Sequence, residues 1–320
     1  MMLFRKQGGY FILVSRRLAQ RILGAIWLLD GFLQLKPAMF TQAFVTGVIL
    51  PSAQGQPRWI AGLVDFAARL VSGHMAEWDI LFALVQLALG ILLLSDRWVR
   101  PTLVASITWA LIVWIAEGIG MPFGAQMTLL NGAPGAGVVY AMVSLAVWPA
   151  STDPSAWLPW RQRFAQFALG AIWLWGFVLQ LELIAASPSA VPAQASVPHL
   201  SGMQMPGTTG QSTYLSLPLS VPQLSRLLAP IGEPVAIGLA MAVLLLGVLW
   251  INGQSLGPIA WFSLMLLALF WWLGQSFGGM WTALGTDPNT APLMALLVLC
   301  ATPRAKLERR HPSRGFTPLG

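Results

Sequence analysis

Long apolar segments that are almost free of charge constrain this chain more than any other feature. Only 9% of its 320 residues are Asp, Glu, Lys or Arg, whereas about 25% is usual for a soluble domain. A helix of about 20 apolar residues crosses the hydrocarbon core of a bilayer. Eight segments reach or approach this length: 18–35, 77–95, 101–119, 134–150, 164–183, 231–250, 257–275 and 290–303. We therefore predict an all-α, polytopic membrane protein with about eight transmembrane helices.

The distribution of Lys and Arg predicts how these helices are oriented. With a cytoplasmic N-terminus, 14 of the 18 basic residues fall on the cytoplasmic side. The four on the outer side are Lys36, Arg58, Arg69 and Arg226. This bias follows the positive-inside rule, so we expect a multi-pass protein of the inner (cytoplasmic) membrane with both termini in the cytoplasm. It also accounts for most of the net charge of +7, and the expected partner is the lipid bilayer rather than nucleic acid.

The sequence contains an internal repeat. The block LGAIWL occurs at 23–28 and again at 169–174, and Gln34 and Gln180 follow at the same spacing. Further along the two halves, the matching pairs are Trp114 and Trp272, Glu117 and Gln275, and Pro134 and Pro288. Each half has an even number of predicted spans, so the two copies have the same orientation. We predict two parallel four-helix repeats.

The repeat also divides the chain. The predicted units are a cytoplasmic interfacial segment (1–16), a first repeat (17–150), a cytoplasmic linker (151–163), a second repeat (164–303) and a basic cytoplasmic tail (304–320). The outer segment 37–76 of the first repeat corresponds to the outer loop 184–229 of the second. That loop is rich in Pro, Ser, Gln and Gly and cannot span a membrane, so we expect its counterpart not to cross either.

Within this outer segment, residues 37–73 contain an amphipathic stretch. Trp59, Leu63, Phe66 and Leu70 share one face of a helix. This pattern predicts a helix that lies on the outer leaflet of the membrane. A re-entrant pair of helices is the alternative.

Five polar residues in or beside the predicted spans are candidate ligand-binding residues: Asp30, Gln34, Glu117, Gln180 and Gln275. Ionisable groups inside a membrane are costly and usually functional. The repeat aligns Asp30 with Gly176 and Glu117 with Gln275, so only the first half keeps two carboxylates. We predict a polar site near the outer ends of the first-half helices, with bonds that hold helices together as the alternative. No catalytic residue is predicted.

Other acids near helix ends have a simpler interpretation. Glu77 and Asp79 fall at the start of a predicted span, where negative charge favours the helix dipole. The sequence Asp287-Pro288-Asn289 predicts a helix start.

The cysteine count limits which cofactors the chain can hold. Cys300 is the only cysteine, which excludes an intrachain disulfide and any haem, iron–sulfur or zinc framework built on thiolates. His199, Met203 and Met205 are soft donors that would suit Cu(I). Because Met occurs 13 times in the chain, this spacing carries little weight. We expect no intrinsic cofactor and no copper.

The layout of each half resembles the DoxX/DoxD-type four-helix membrane module. The residues that carry the resemblance are LGAIWLLDGFLQLKP at 23–37 and LVQLALGILLLSDRWVRP at 84–101. The resemblance implies a subunit linked to a terminal quinol oxidase or a thiosulfate:quinone oxidoreductase. In that family the second span often carries an acidic residue where this chain has Gln86, so no catalytic residue is carried over.

We therefore expect a non-catalytic membrane subunit of a respiratory or quinone-linked redox complex, without its own haem or iron–sulfur centre. It would bind other membrane subunits or a quinone near the outer leaflet, with Asp30, Gln34 and Glu117 as the polar site. A small-solute transporter or channel and a purely structural assembly subunit are the alternatives.

Overall fold

The structure is a computed structural model that describes residues 2–6, 9–123, 127–150, 157–186, 232–253 and 256–302. The predicted basic tail and most of the outer loop 184–229 lie outside these residues. So do the weak copper candidates His199, Met203 and Met205.

The segment before the first repeat contains a feature that the sequence did not predict. An antiparallel hairpin, β1 (Met2–Lys6) and β2 (Gly9–Leu13), lies within the segment 1–16. Helix α1 (Arg16–Gln34) follows, with its first turn capped by the Ser15 hydroxyl. The outer segment then contains short turns at Pro37–Phe40, α2 (Gln42–Phe44), Val45–Ile49 and Leu50–Ala53, and the longer helix α3 (Arg58–Ser72).

A helix lies in each of the eight segments predicted to span the membrane. After α1 these are α4 (Met75–Leu94), α5 (Val99–Ala116), α6 (Ala136–Ala146), α7 (Pro159–Ala186), α8 (Gly232–Asn252), α9 (Leu256–Leu273) and α10 (Thr290–Ala301). Four of them, α4, α5, α7 and α8, are long and apolar enough to cross a membrane. The chain is therefore a helical membrane protein. Helices α6 and α10 are shorter, as is the apolar stretch Gly257–Leu273 of α9, and α1 carries more charge.

The first and second helices of each half pack through a pair of glycines. In the first half, a Cβ added at Gly90 of α4 would lie 2.8 Å from the carbonyl oxygen of Gly24 in α1. In the second half, a Cβ added at Gly170 of α7 would lie 3.1 Å from the carbonyl oxygen of Gly247 in α8. Only glycine lets two helices approach this closely without a shift of their neighbours.

The loops that follow α5 and α9 are also alike. The Trp114 indole donates to the carbonyl oxygen of Pro134 at 2.8 Å, and the Trp271 indole donates to that of Pro288 at 2.7 Å. The sequence pairs Trp114 with Trp272 instead, which is one residue off. Both helices end in a bond to a carbonyl five residues back, from the Ile119 N–H in the first half and from the Gln275 N–H in the second.

The two halves exchange loop contacts. Leu129, in the loop before α6, packs against Gly176 of α7. A Cβ added at Gly176 would lie only 2.0 Å from the Cδ1 atom of Leu129. In return, the Lys36 ammonium at the end of α1 donates to three carbonyl oxygens of the second half, those of Met280, Thr282 and Gly285, each at 2.8 Å. Each half thus holds a loop of the other against its own helices.

Candidate functional site

A cavity of about 190 Å³ lies in the first half. Side chains of α1, α3, α4, α5 and α6 form its walls, and the loop before α10 contributes Thr286 and Asp287 from the second half. Most of the lining is apolar or aromatic. The polar groups that matter to its chemistry are Asp30, Gln34, Gln86, Glu117, Tyr140 and Asp287.

Asp30 is held rigidly at one side of this cavity. Its side chain is only 2% exposed, and the Tyr140 hydroxyl donates a hydrogen bond to its Oδ2 atom. The Tyr140 ring stacks on Trp27 with ring centroids 4.2 Å apart. The Trp27 indole in turn donates to Ser106 Oγ at 2.9 Å, and Ser106 bonds to Ser144. This chain of contacts between α1, α5 and α6 fixes the orientation of the carboxyl group.

Gln34 connects the cavity to a second buried acid. Its side-chain amide donates to Asp79 Oδ1 at 2.5 Å. We expected Asp79 only to favour the dipole of its helix, and this was incomplete. Because α4 begins at Met75, Asp79 lies in the second turn, where it is fully buried and turned towards α1.

Asp287 brings a carboxyl group from the second half into the first-half cavity. It accepts hydrogen bonds from the Asn289 N–H at 2.5 Å and from the Thr286 hydroxyl at 3.1 Å. Burial raises the pKa of Asp287, while these two bonds lower it in part. The Asp287 carboxyl group also interacts electrostatically with both Asp30 and Glu117. Asp287 therefore interacts with both of the other acids, and no Lys, Arg or His is among the described residues that line the cavity.

Three buried polar atoms of the lining have no hydrogen-bond partner among the described residues. They are Asp30 Oδ1, Gln86 Oε1 and the indole nitrogen of Trp109. A buried polar group without a partner costs about 1–3 kcal/mol, and a water molecule or a ligand that bonds to it would offset this cost. Two of the three can accept a hydrogen bond, and the Trp109 N–H can donate one.

The structure brings together three of the five candidate residues. Asp30, Gln34 and Glu117 all line the cavity. Gln275 does not, because it joins the two halves by donating to the Leu129 carbonyl and accepting from the Ala291 N–H. Gln180 is buried in α7 away from the cavity.

Sequence reasoning missed Tyr140 and the reach of Asp287. Tyr140 is one of only three tyrosines in the chain, and the repeat aligns it with Met294, as it aligns Asp30 with Gly176. In the second half Asp30 thus aligns with a glycine and Tyr140 with an apolar residue. The loss of both polar side chains together was a signal from which their contact could have been predicted. The predicted helix start at Asp287-Pro288-Asn289 is confirmed, since Asn289 caps Thr290, but nothing local showed that Asp287 faces the other half.

Compared with known proteins, the chain matches no family model, no curated protein and no solved structure. The resemblance to the DoxX/DoxD type therefore stays a prediction. Within the described part of the chain, no group of three or more His, Cys, Asp or Glu side chains is arranged to hold a metal ion.

Proposed function

We propose that all eight helices cross the membrane as two parallel repeats of four, with both termini in the cytoplasm. The matching glycine pairs of α1–α4 and α7–α8 support the duplication, as do the matching Trp–Pro bonds. Helices α6 and α10 have only 11 and 12 residues. The predicted spans that contain them, 134–150 and 290–303, are longer, and non-helical backbone is tolerated at membrane depth where it is buried in protein or lines a cavity.

We further propose that the protein is an integral membrane subunit of a quinone-linked redox complex and binds a quinone head group in the first-half cavity. The observation that carries this proposal is the set of unpartnered polar atoms within aromatic walls. A planar ring packs well against Trp27, Phe82 and Trp109. The Trp109 N–H can donate to a ring carbonyl, and Asp30 Oδ1 can accept from a ring hydroxyl.

The chain's own residues would handle protons rather than electrons. A quinol that is oxidised releases two electrons and two protons. The carboxyl groups of Asp30, Glu117 and Asp287 can relay these protons one at a time, since each can take up a proton once it has released its own. The electrons would pass to a cofactor of a partner subunit, since this chain has one buried cysteine and three histidines to offer.

The test is to isolate the protein from its native membrane with its neighbours. We expect co-purifying subunits with haem or iron–sulfur absorption, and extractable quinone that decreases in Asp30→Asn and in Glu117→Gln. Wild type that purifies alone and without quinone would contradict the proposal. Gln180→Leu, outside the cavity, is the matched control and should retain the quinone.

A carrier for a small organic cation is a second candidate, and one observation favours it. Three acids surround a cavity whose described lining has no basic side chain, and aromatic faces such as those of Trp27 and Tyr140 attract cations. A carrier would purify alone and show flux in liposomes that falls in Asp30→Asn.

If neither quinone nor flux is found and both variants assemble normally, a purely structural subunit is the remaining function.

A further inference from the structure

The rim of the cavity contains two large apolar side chains that are exposed on the outside of the protein. Leu70 of α3 is 51% exposed and Ile112 of α5 is 53% exposed, and both also line the cavity. No described segment covers either side chain. The cavity therefore opens between α3 and α5 through an apolar rim.

Helix α3 shows which surroundings this rim faces. Its surface has three sectors. The first is buried against the protein and contains Ile60, Val64, Ala68 and Val71. A second is exposed and apolar, with Trp59, Leu63, Phe66 and Leu70. A third is exposed and polar, with Arg58, Asp65 and Arg69. A helix with these sectors lies in the membrane interface, with its charged sector in water and its apolar sector in the acyl chains. Leu70 belongs to the apolar sector.

Helix α5 leads to the same conclusion. It is one of the four helices that are long and apolar enough to cross a membrane, so its exposed side chains face lipid. Ile112 and Ile115 are both exposed on it, but only Ile112 lines the cavity. The opening between Leu70 and Ile112 thus faces the hydrocarbon region and not the water outside.

We infer that the ligand of this cavity is a membrane-dissolved amphiphile whose head group enters sideways between α3 and α5 and whose apolar tail lies between Leu70 and Ile112. The inference rests on the proposed quinone site and adds the entry route and the need for a tail. An apolar tail stays in apolar surroundings when the head group binds, because the rim and the lipid are both apolar, so binding does not expose the tail to water.

Two benzoquinones with the same ring, one with a decyl tail and one without, provide the test. Both are tritiated, and retention is measured by scintillation proximity on protein in lipid nanodiscs, with the signal of empty nanodiscs subtracted. We expect wild type to retain the tailed probe at least about tenfold more tightly. Leu70→Trp and Ile112→Trp, which fill the rim from two different helices, should slow association of the tailed probe about tenfold.

Phe66→Trp and Ile115→Trp are the matched controls. Phe66 is 64% exposed on α3 and Ile115 is 43% exposed on α5, and neither lines the cavity. The inference is overturned if the rim variants and the controls bind the tailed probe at the same rate, or if wild type binds both probes equally. If wild type retains neither probe beyond empty nanodiscs, the quinone site itself is wrong.

Discussion

At the scale of single residues, the two oxygens of Asp30 have different roles. Oδ2 accepts a hydrogen bond from the Tyr140 hydroxyl, whereas Oδ1 has no partner among the described residues, and the Asp30 side chain lines the cavity. The first oxygen belongs to the fold and the second is available to a ligand. Variants of the two residues should therefore separate stability from binding.

We expect Asp30→Asn to weaken quinone binding about tenfold and to leave the melting temperature nearly unchanged. The amide oxygen of Asn can still accept from Tyr140, so the packing of α1 on α6 persists, but the acid is lost. Tyr140→Phe should instead destabilise the protein by about 1–3 kcal/mol, because it leaves a buried carboxyl oxygen unpaired. Thermal unfolding in detergent and probe retention measure both effects. Unchanged binding in Asp30→Asn would contradict this division.

Asp287 should make stability depend on pH. Burial raises its pKa above the unfolded value of about 3.9, so the folded protein favours the neutral acid. This contribution is fully present below the unfolded pKa and is lost as the pH rises through the raised folded pKa. We expect the melting temperature of wild type, relative to Asp287→Asn, to fall as the pH increases from about 4. Parallel curves for the two proteins would show that the surroundings of Asp287 do not raise its pKa.

At the scale of helices, the close pairs α1–α4 and α7–α8 depend on glycine. A Cβ at Gly90 would lie 2.6 Å from the Leu28 side chain, and one at Gly247 would lie 2.7 Å from that of Leu174. We expect Gly90→Ala and Gly247→Ala each to lower stability by about 1–3 kcal/mol. Gly238 in α8 has nothing within 4 Å of an added Cβ, so Gly238→Ala is the control and should be neutral or slightly stabilising. Thermal unfolding that ranks all three alike would contradict the close packing.

The same scale shows what the sequence could predict. The positions of the eight helices follow from apolar length, which is a local property of the chain. The exposed apolar face of α3 was also predicted, because a helical face can be read directly from residue spacing. The second, buried apolar face of α3 and the bond from Trp271 rather than Trp272 depend on the path of neighbouring loops. Contacts between distant segments set those paths, and no short stretch of sequence contains them.

At the scale of the whole molecule, the two halves depend on each other. Asp287 of the second half lines the first-half cavity. Lys36 of the first half donates hydrogen bonds to three carbonyl groups in residues 280–285, which come just before Asp287 in the chain. In the second half Gly176 aligns with Asp30, and Leu129 of the first half packs against that glycine. One of two similar halves thus carries a polar cavity, and the other completes it.

Lys36→Met should loosen this connection. The variant removes all three donors to the carbonyl groups of 280–285, so we expect faster amide hydrogen exchange across residues 280–287. Arg21→Met, which breaks the exposed ion pair with Asp96 near the other end of α1, is the control and should leave that exchange unchanged. Equal exchange in wild type and Lys36→Met would show that the bonds to Lys36 do not hold the loop.

The most direct measurement of the central claim is photolabelling with a tailed azidoquinone, followed by mapping of the modified peptides in both halves. We predict modification of first-half peptides that carry cavity residues such as Gln86, Trp109 and Glu117, with competition by unlabelled tailed quinone and a clear decrease in Asp30→Asn. The corresponding second-half peptides, around Val243, Leu266 and Gln275, should be labelled only weakly. Equal labelling of both halves, or labelling that Asp30→Asn leaves unchanged, would contradict a quinone site in the first-half cavity.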